Sequence, residues 1–316
     1  MEVNNNLLSD NLKSLKLSVI ILNYNSSIDT LELYRSLTRF NLSFLNIFII
    51  DNNSKTKDLL FLKQNIPQKN LLQNDKNLGY GGGNKIGIEI ARQKKINYAL
   101  LLNPDIRLEK ETLIHLLKLI SSNEEIAAVG PRICFRDTPD IIYSDGGLVN
   151  TEKGFESSHI NYKKNKKEVN VKQRFDIDYV NGSCLMINIK ALHKIGVLLD
   201  TFFMYYEETE WCLRAKSLGY KICVDSKVEA FHETSQKKKN YYFYMTRNRI
   251  LIAKRFNHKY FKTVKIVLKN LLKEFKKTII VKGYKSPYLY YKVKGFFAGL
   301  LFRIEKYEGF SPVRKK

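Results

Sequence analysis

Tyr98-Ala99-Leu100-Leu101-Leu102-Asn103-Pro104-Asp105 is the stretch from which the rest of the chain is read. A short apolar run stopped by a proline has the form of a buried strand leaving its sheet. Pro104 lacks a ladder donor and biases Asn103 toward extended backbone. Asp105 is thereby delivered at the carboxyl edge of the sheet, where open α/β folds bind ligands. Taken alone, Asn103-Pro104-Asp105 reads first as a turn at a strand end. The flanking sequence favours a site.

Upstream, Leu17-Ser-Val-Ile-Ile-Leu22 reads as a first buried strand ending in Asn23-Tyr24-Asn25, with a helix over 28–40. Ile47-Phe-Ile-Ile50 is a second strand, closed by Asp51-Asn52-Asn53-Ser54. An acid at a strand end can bond a ribose hydroxyl or a base N–H, and the same residues also serve as helix N-caps. Asn77-Leu-Gly79-Tyr-Gly81-Gly82-Gly83-Asn84 then leads to a helix expected over Lys85–Arg92. Glycines before a helix let backbone N–H groups approach a phosphate, the alternative being a flexible loop. Position 84 is Asn where the dinucleotide fingerprint needs glycine, and no Gly-Lys-Ser or Gly-Lys-Thr occurs. These features argue against a nicotinamide enzyme and against a P-loop enzyme.

Downstream, a helix is expected over 110–121 and a strand over 127–135. Residues 137–176, polar and carrying Lys163-Lys164-Asn165-Lys166-Lys167, read as a long solvated surface excursion, a candidate lid. Tyr179–Ile187 returns to strand character, broken by Asn181-Gly182-Ser183, where glycine marks a bulge or a close ligand approach. Glu207, Glu208 and Glu210 open an amphipathic helix with Trp211, Leu213, Ala215 and Leu218. Acids there oppose the helix dipole, yet three of them behind an aromatic run exceed what capping needs. Lys221–Val224 is a short strand and Val228–His232 ends the domain. Alternating strands and helices imply an α/β fold with a mostly parallel sheet.

The cysteines, Cys134, Cys184, Cys212 and Cys223, form no CxxC pair and read as small core residues of a reducing compartment. The polar N-terminus shows no signal-peptide pattern, and no run of about 18 apolar residues exists to span a membrane. The net charge of +23 is uneven: residues 237–316 hold 23 Lys+Arg against 3 Asp+Glu, and residues 1–236 hold 31 against 28. The expected division is a polar lead (1–14), a near-neutral catalytic domain (15–236) and a basic helical extension (237–316).

These pieces, in this order, resemble family 2 glycosyltransferases of the GT-A fold, in particular the rhamnosyltransferase-like branch that builds bacterial surface polysaccharides. The resemblance covers about residues 15–250. It rests on Asn23-Tyr24-Asn25, Asp51–Ser54, Asn77–Asn84, Leu102–Asp105, Gly182–Leu185, the block from Tyr206-Glu207-Glu208 to Arg214, His232, and Arg247-Asn248-Arg249. It implies an inverting sugar transfer from a nucleoside-diphosphate sugar, dTDP- or UDP-linked, to a glycan or lipid-linked acceptor. Asn23, Tyr24, Asp51, Asn53, Asn77, Gly79, Gly83, Asn84, Asn103 and Asp105 would line the donor site, Asp51 reading the base. Asp105, with His232, would hold Mg²⁺ or Mn²⁺; Asn103 stands where the family often has a second Asp. Glu208 would be the catalytic base, in a Glu-Glu pair where Glu-Asp is usual, with Gly182, Ser183 and Glu207 toward the acceptor. The chemistry agrees: a leaving diphosphate needs its charge neutralised by a hard cation, and the acceptor hydroxyl needs a base. Two competing classes are an inactive sugar-nucleotide-binding relative and, from charge alone, a nucleic-acid binder; the second lacks any recognised motif.

In the extension, residues 239–256 read as helical. Over 262–281, Val264, Val267, Leu268, Leu271, Leu272, Phe275 and Ile279 share one arc and lysines the other, and aromatics and lysines alternate over 286–303. Residues 260–316 are therefore expected to rest on an anionic membrane surface, the cytoplasmic leaflet, or else to pack on the domain with solvated lysines. No nucleic-acid partner is expected.

Overall fold

The computed structural model describes residues 14–233, 238–281 and 286–310, so most of the expected polar lead lies outside the described residues. The chain begins with β1 (Leu17–Asn23), α1 (Ser27–Arg39), β2 (Leu45–Asp51), α2 (Thr56–Asn65), β3 (Leu71–Gln73), α3 (Gly79–Gln93) and β4 (Tyr98–Leu102). It continues with β5 (Ile106–Leu108), α4 (Lys110–Ser121), β6 (Ile126–Phe135), β7 (Ile142–Ser144), β8 (Gly147–Asn150), β9 (Glu156–His159) and β10 (Gln173–Arg174). It ends with β11 (Cys184–Asn188), α5 (Leu192–Ile195), α6 (Glu207–Ser217), β12 (Lys221–His232), α7 (Lys239–Arg255), α8 (Tyr260–Ile280) and α9 (Leu289–Leu301).

The main sheet runs β10-β12-β6-β11-β4-β1-β2-β3. The run β4-β1-β2-β3 is parallel, β11 lies antiparallel to β4 and β6, and β12 runs parallel to β6. Strand alternation divides the core. Leu17, Val19, Ile21, Leu100 and Leu102 pack on one face with Leu113, Leu116, Leu117 and Ile120 of α4, at helical spacing. Ile20, Ala99 and Leu101 pack on the other with Ile88 and Ala91 of α3 and Trp211 of α6. Because β1 has a parallel neighbour on each side, the chain changes direction across the sheet there. That opens a crevice at the carboxyl ends of β1, β2 and β4.

Three expectations change. The helix expected at Lys85 begins at Gly79, and the glycines form its first turns. A Cβ at Gly81 would lie 2.4 Å from the Leu199 carbonyl oxygen, and one at Gly79 2.1 Å from that of Phe203. The glycines therefore let α3 approach the 199–203 backbone. Residues 137–176 are solvated only in part: the end from 161 to 176 is largely exposed, while 141–160 is built into the protein. They carry β7 to β10, with Phe155 fully buried and Asp145 paired inside the protein with Arg132 at 2.7 Å. The apolar arc of α8 is split: Val267 and Leu271 pack against Ile250 and Phe296, while Leu268, Leu272, Phe275 and Ile279 are exposed.

Candidate active site

At the end of β1, Asn23 is fully buried and donates to Asp51 at the end of β2 (2.8 Å) and to the Ser54 hydroxyl (3.0 Å). Its own carbonyl oxygen accepts from Thr30. Asp51, also fully buried, accepts from the Ser54 N–H. Every partner needed to hold these groups in place is therefore inside the protein. Asn52 is a hub that sequence reasoning missed. It donates to Asn77 and to the Gly79 carbonyl, and accepts from Asn74 and the Leu78 N–H. It thus ties the β2 end to the start of α3. Gly83 lies against Leu22 and the Asn52 amide. Asn84 is buried, donates to the Tyr80 carbonyl, and keeps an orphaned side-chain oxygen. Tyr24 is exposed, and Asn53 sits exposed in a left-handed turn with φ of 62°.

Asp105 follows β4 and immediately precedes β5, whose Ile106 pairs with His232 at the end of β12. The two side chains lie 3.3 Å apart, Nε2 to Oδ2. The other Asp105 oxygen and His232 Nδ1 are both buried without a hydrogen-bond partner. Unsatisfied buried polar atoms are costly, and one on each member of a side-chain pair marks a place built for something else. The Asn103 N–H donates to the Ser183 carbonyl, which joins the β4 end to the Gly182-Ser183 turn.

Glu207 and Glu208 open α6. Tyr80 donates to the Gly182 carbonyl, and a Cβ on Gly182 would lie 3.4 Å from Glu208 Cγ. Burial raises the Glu208 carboxyl to about 7. Burial, then the charge of Glu208, pushes Glu207 well above the ordinary carboxylate range, and one Glu207 oxygen is orphaned. Tyr143, from the segment first read as solvated, lies beside His232. Its ring meets His232 edge-on at 5.4 Å, and its hydroxyl is pushed up by burial and, more weakly, by Tyr162, Tyr241, Tyr205 and Glu208. The sequence-derived groups thus fall into a donor-side network around Asn23, Asp51 and Asn77, a pair of Asp105 and His232, and the acids Glu207 and Glu208 beside Gly182. Tyr80, Tyr143 and Asn52 are the links sequence reasoning did not single out. Asn52, inside Asp51–Ser54, and Tyr80, inside Asn77–Asn84, carried a local signal; Tyr143 carried none.

The segment entering α6 has an unusual backbone. Phe203, Tyr205 and Tyr206 have φ of 61°, 68° and 74°, left-handed values that side-chain-bearing residues seldom adopt. The side chains of Arg247 and Asn248 on α7 bond the carbonyls along this segment.

Among proteins of known sequence or structure, residues 18–196 match the family model described as glycosyl transferase family 2. A hexosyltransferase of low-salt glycan biosynthesis, Agl10 of Haloferax volcanii, is 30% identical over 254 residues, 75% of each chain. The dTDP-rhamnosyl transferase RfbF of Shigella flexneri is 23% identical over 225 residues, 69% of each. In structure, GalNAc-T7, crystallised with UDP, GalNAc and Mn²⁺, superposes with a TM-score of 0.62 at 16% identity. That match covers 89% of this chain but only 54% of GalNAc-T7. TarS 1–349 of S. aureus gives 0.51 at 17% identity, covering 91% of this chain and 81% of TarS. These two show the fold, an α/β architecture of GT-A type, and the sequence relatives carry the activity class. The chain is a glycosyltransferase and belongs to glycosyl transferase family 2.

Proposed function

We propose that this enzyme transfers a sugar, with inversion, from a nucleoside-diphosphate donor to a hydroxyl of a lipid-linked glycan in cell-surface polysaccharide synthesis. The observation that carries the reading is the meeting of Asp105 and His232, each with an orphaned buried atom, just past the end of β4. Asn23, Tyr24, Asp51, Asn53, Asn77, Gly79, Gly83, Asn84 and Asn103 border the donor, with Asp51 toward the base. A carboxylate oxygen and an imidazole nitrogen suit Mg²⁺ or Mn²⁺ completed by diphosphate oxygens and water. Among the described residues no group of three or more His, Cys, Asp or Glu could hold a metal, so Asp105 and His232 would be its protein ligands. Bound there, the ion neutralises charge building on the leaving diphosphate. Glu208, raised to about 7, accepts the acceptor's hydroxyl proton near neutral pH. Glu207, Gly182 and Ser183 border the acceptor. A dTDP-linked deoxyhexose such as L-rhamnose is the first choice of donor, on the likeness to RfbF, with UDP-linked hexoses next.

The chain divides into a catalytic unit, 15–236, and an extension, 237–316, seated on it through α7; the boundary falls among residues outside the description. On α8, Phe261, Leu268, Leu272, Phe275 and Ile279 form an exposed stripe about 60° wide and about 27 Å long. Lys262, Lys265, Lys269, Lys273, Lys276 and Lys277 occupy the adjoining exposed arc. No helix among the described residues is long and apolar enough to cross a membrane. An apolar stripe edged by cations suits the surface of an anionic leaflet, here the cytoplasmic one, where a lipid-linked acceptor would be met.

The deciding experiment is a melting-temperature screen of the protein against dTDP, UDP, GDP and CMP, with and without Mn²⁺. A rise with one nucleoside diphosphate that requires Mn²⁺ supports the donor and metal assignments; no rise with any of them overturns both. Salt-sensitive binding to anionic vesicles, lost with Leu272→Asp and Phe275→Asp together, supports the membrane assignment. No binding at low salt overturns it.

A further inference from the structure

We infer that Asn248, locked by Arg247, is the positioning residue for Glu208: its amide holds the left-handed segment that carries the acid into the site. Asn248 is fully buried on α7. Its amide nitrogen donates to the carbonyls of Phe202 (3.0 Å), Met204 (2.8 Å) and Tyr205 (2.7 Å). Two N–H groups thus serve three carbonyls within four consecutive residues, 202 to 205. Its side-chain oxygen accepts from Arg247 Nε at 2.8 Å, which fixes which end of the amide faces the segment. Arg247 adds bonds from Nη2 to the carbonyls of Thr201 (3.1 Å) and Phe202 (2.6 Å). Its guanidinium lies over the Tyr244 ring at 4.8 Å. Nothing in this arrangement resembles a solvent-facing amide chosen for solubility.

The conformation explains why such a clamp is needed. Phe203, Tyr205 and Tyr206 are left-handed and none is glycine. Backbone of that kind persists only where its surroundings over-determine it, and it clusters where strain serves a site. Extended backbone at Tyr205 and Tyr206 would redirect the first turn of α6, and Glu207 and Glu208 with it. The opposite side of the same segment is held by α3. The Tyr80 N–H donates to the Phe203 carbonyl at 2.6 Å, and Gly79 and Gly81 admit the segment's backbone. The acid-bearing turn is therefore gripped between the donor-side helix and the extension, and Asn248 makes the extension's part of the grip.

The inference rests on Glu208 being the base, and the test separates the two. Release of nucleoside diphosphate from UDP-glucose and dTDP-rhamnose is followed against pH with Mn²⁺, water serving as acceptor. Glu208 is faced by Glu207, Tyr80, Tyr143, Tyr179, Tyr205 and Cys212, and burial sets its carboxyl near 7. Loosening the turn admits water and lowers that value. Asn248→Ala and Asn248→Asp, the latter isosteric but without N–H donors, should lower kcat about tenfold or more and leave donor KM within about threefold. They should also move the acidic limb of the profile down by about one pH unit. Arg247→Lys, which keeps Asn248 but loses its lock, should move both in the same sense and serves if the Asn248 variants do not fold. Ile250→Val, buried on the same helix but packed toward Val267, Leu271 and Phe296 of α8 and α9, should lower the melting temperature and move neither kcat nor the limb. A wild-type profile with no limb near 7 overturns Glu208 as base. A wild-type limb that Asn248→Ala and Arg247→Lys leave in place, with kcat unchanged or lowered no more than by Ile250→Val, overturns the positioning role.

Discussion

Glu208→Gln removes the proposed base while keeping size and hydrogen-bonding reach, and two independent magnitudes follow. General-base help is typically worth about 10²–10⁴ in rate, so the variant should lose about 3–5 kcal/mol of transition-state stabilisation. Donor binding should be nearly unchanged, because the donor cluster around Asn23 and Asp51 makes no bond to Glu208. The second magnitude comes from linkage. Burial raises the carboxyl from 4.5 to about 7, so the folded state binds this proton more tightly than the unfolded chain does. Its contribution is most favourable below the unfolded value of 4.5 and is lost as pH rises through about 7. The loss amounts to at most about 3 kcal/mol. Glutamine never ionises and escapes that cost. The variant should therefore melt a few degrees above the wild type at about pH 8, and the gap should close toward about pH 5. The assays are nucleoside-diphosphate release and thermal melting, each against pH. Near-normal turnover in the variant refutes the base; a melting gap that does not change with pH refutes the buried, shifted carboxyl.

Asp105→Asn and His232→Ala should each weaken Mn²⁺ activation about tenfold or more and abolish the Mn²⁺-dependent part of the nucleotide melting shift; retention in both variants places the metal elsewhere. Asp51→Ala leaves the Asn23 amide and the Ser54 N–H short of a partner in a buried place. It should cost about 1–3 kcal/mol in denaturant unfolding and remove the nucleotide shift, and a wild-type midpoint would contradict the geometry. Gly81→Ala forces a methyl to 2.4 Å from the Leu199 carbonyl oxygen, so about 1–3 kcal/mol of stability should be lost. Unchanged melting would show that α3 and the 199–203 segment are not packed as described.

The parallel half of the sheet was legible because its strands are continuous apolar runs with polar stops. Leu17–Asn23, Leu45–Asp51 and Tyr98–Leu102 end where the sequence shows Asn, Asp and Asn. The acids were legible for a related reason: a carboxylate at a strand end or before an amphipathic helix conflicts with burial unless something uses it. β3, three residues long, offered too few positions for a periodicity to register. Within 137–176, the stretch 141–160 misled because its burial rests on partners outside the segment: Arg132 neutralises Asp145 inside the protein, and Phe155 stacks on Phe256 and meets Phe310 at a tilt. Polarity reads as solvation until its partner is known.

The glycine run shows the limit most sharply. Close approach of a phosphate and close approach of another backbone both require the absence of a Cβ, so Gly79, Gly81, Gly82 and Gly83 satisfy either demand with the same letters. What separates the readings is which atom stands where the Cβ would be. At Gly79 and Gly81 it is a carbonyl of the segment leading to Glu208; at Gly83 it is Leu22, with the Asn52 amide beyond. One helix turn therefore touches the donor side through Asn52 and Asn77 and the acid side through Leu199 and Phe203. A methyl at Gly83 presses on the β1 end beside Asn23, whereas one at Gly81 displaces the turn that delivers Glu208. Substitutions two residues apart should accordingly separate in kinetics, Gly83→Ala raising donor KM and Gly81→Ala lowering kcat. Had the run been a phosphate loop in front of a helix starting at Lys85, both would act on KM alone.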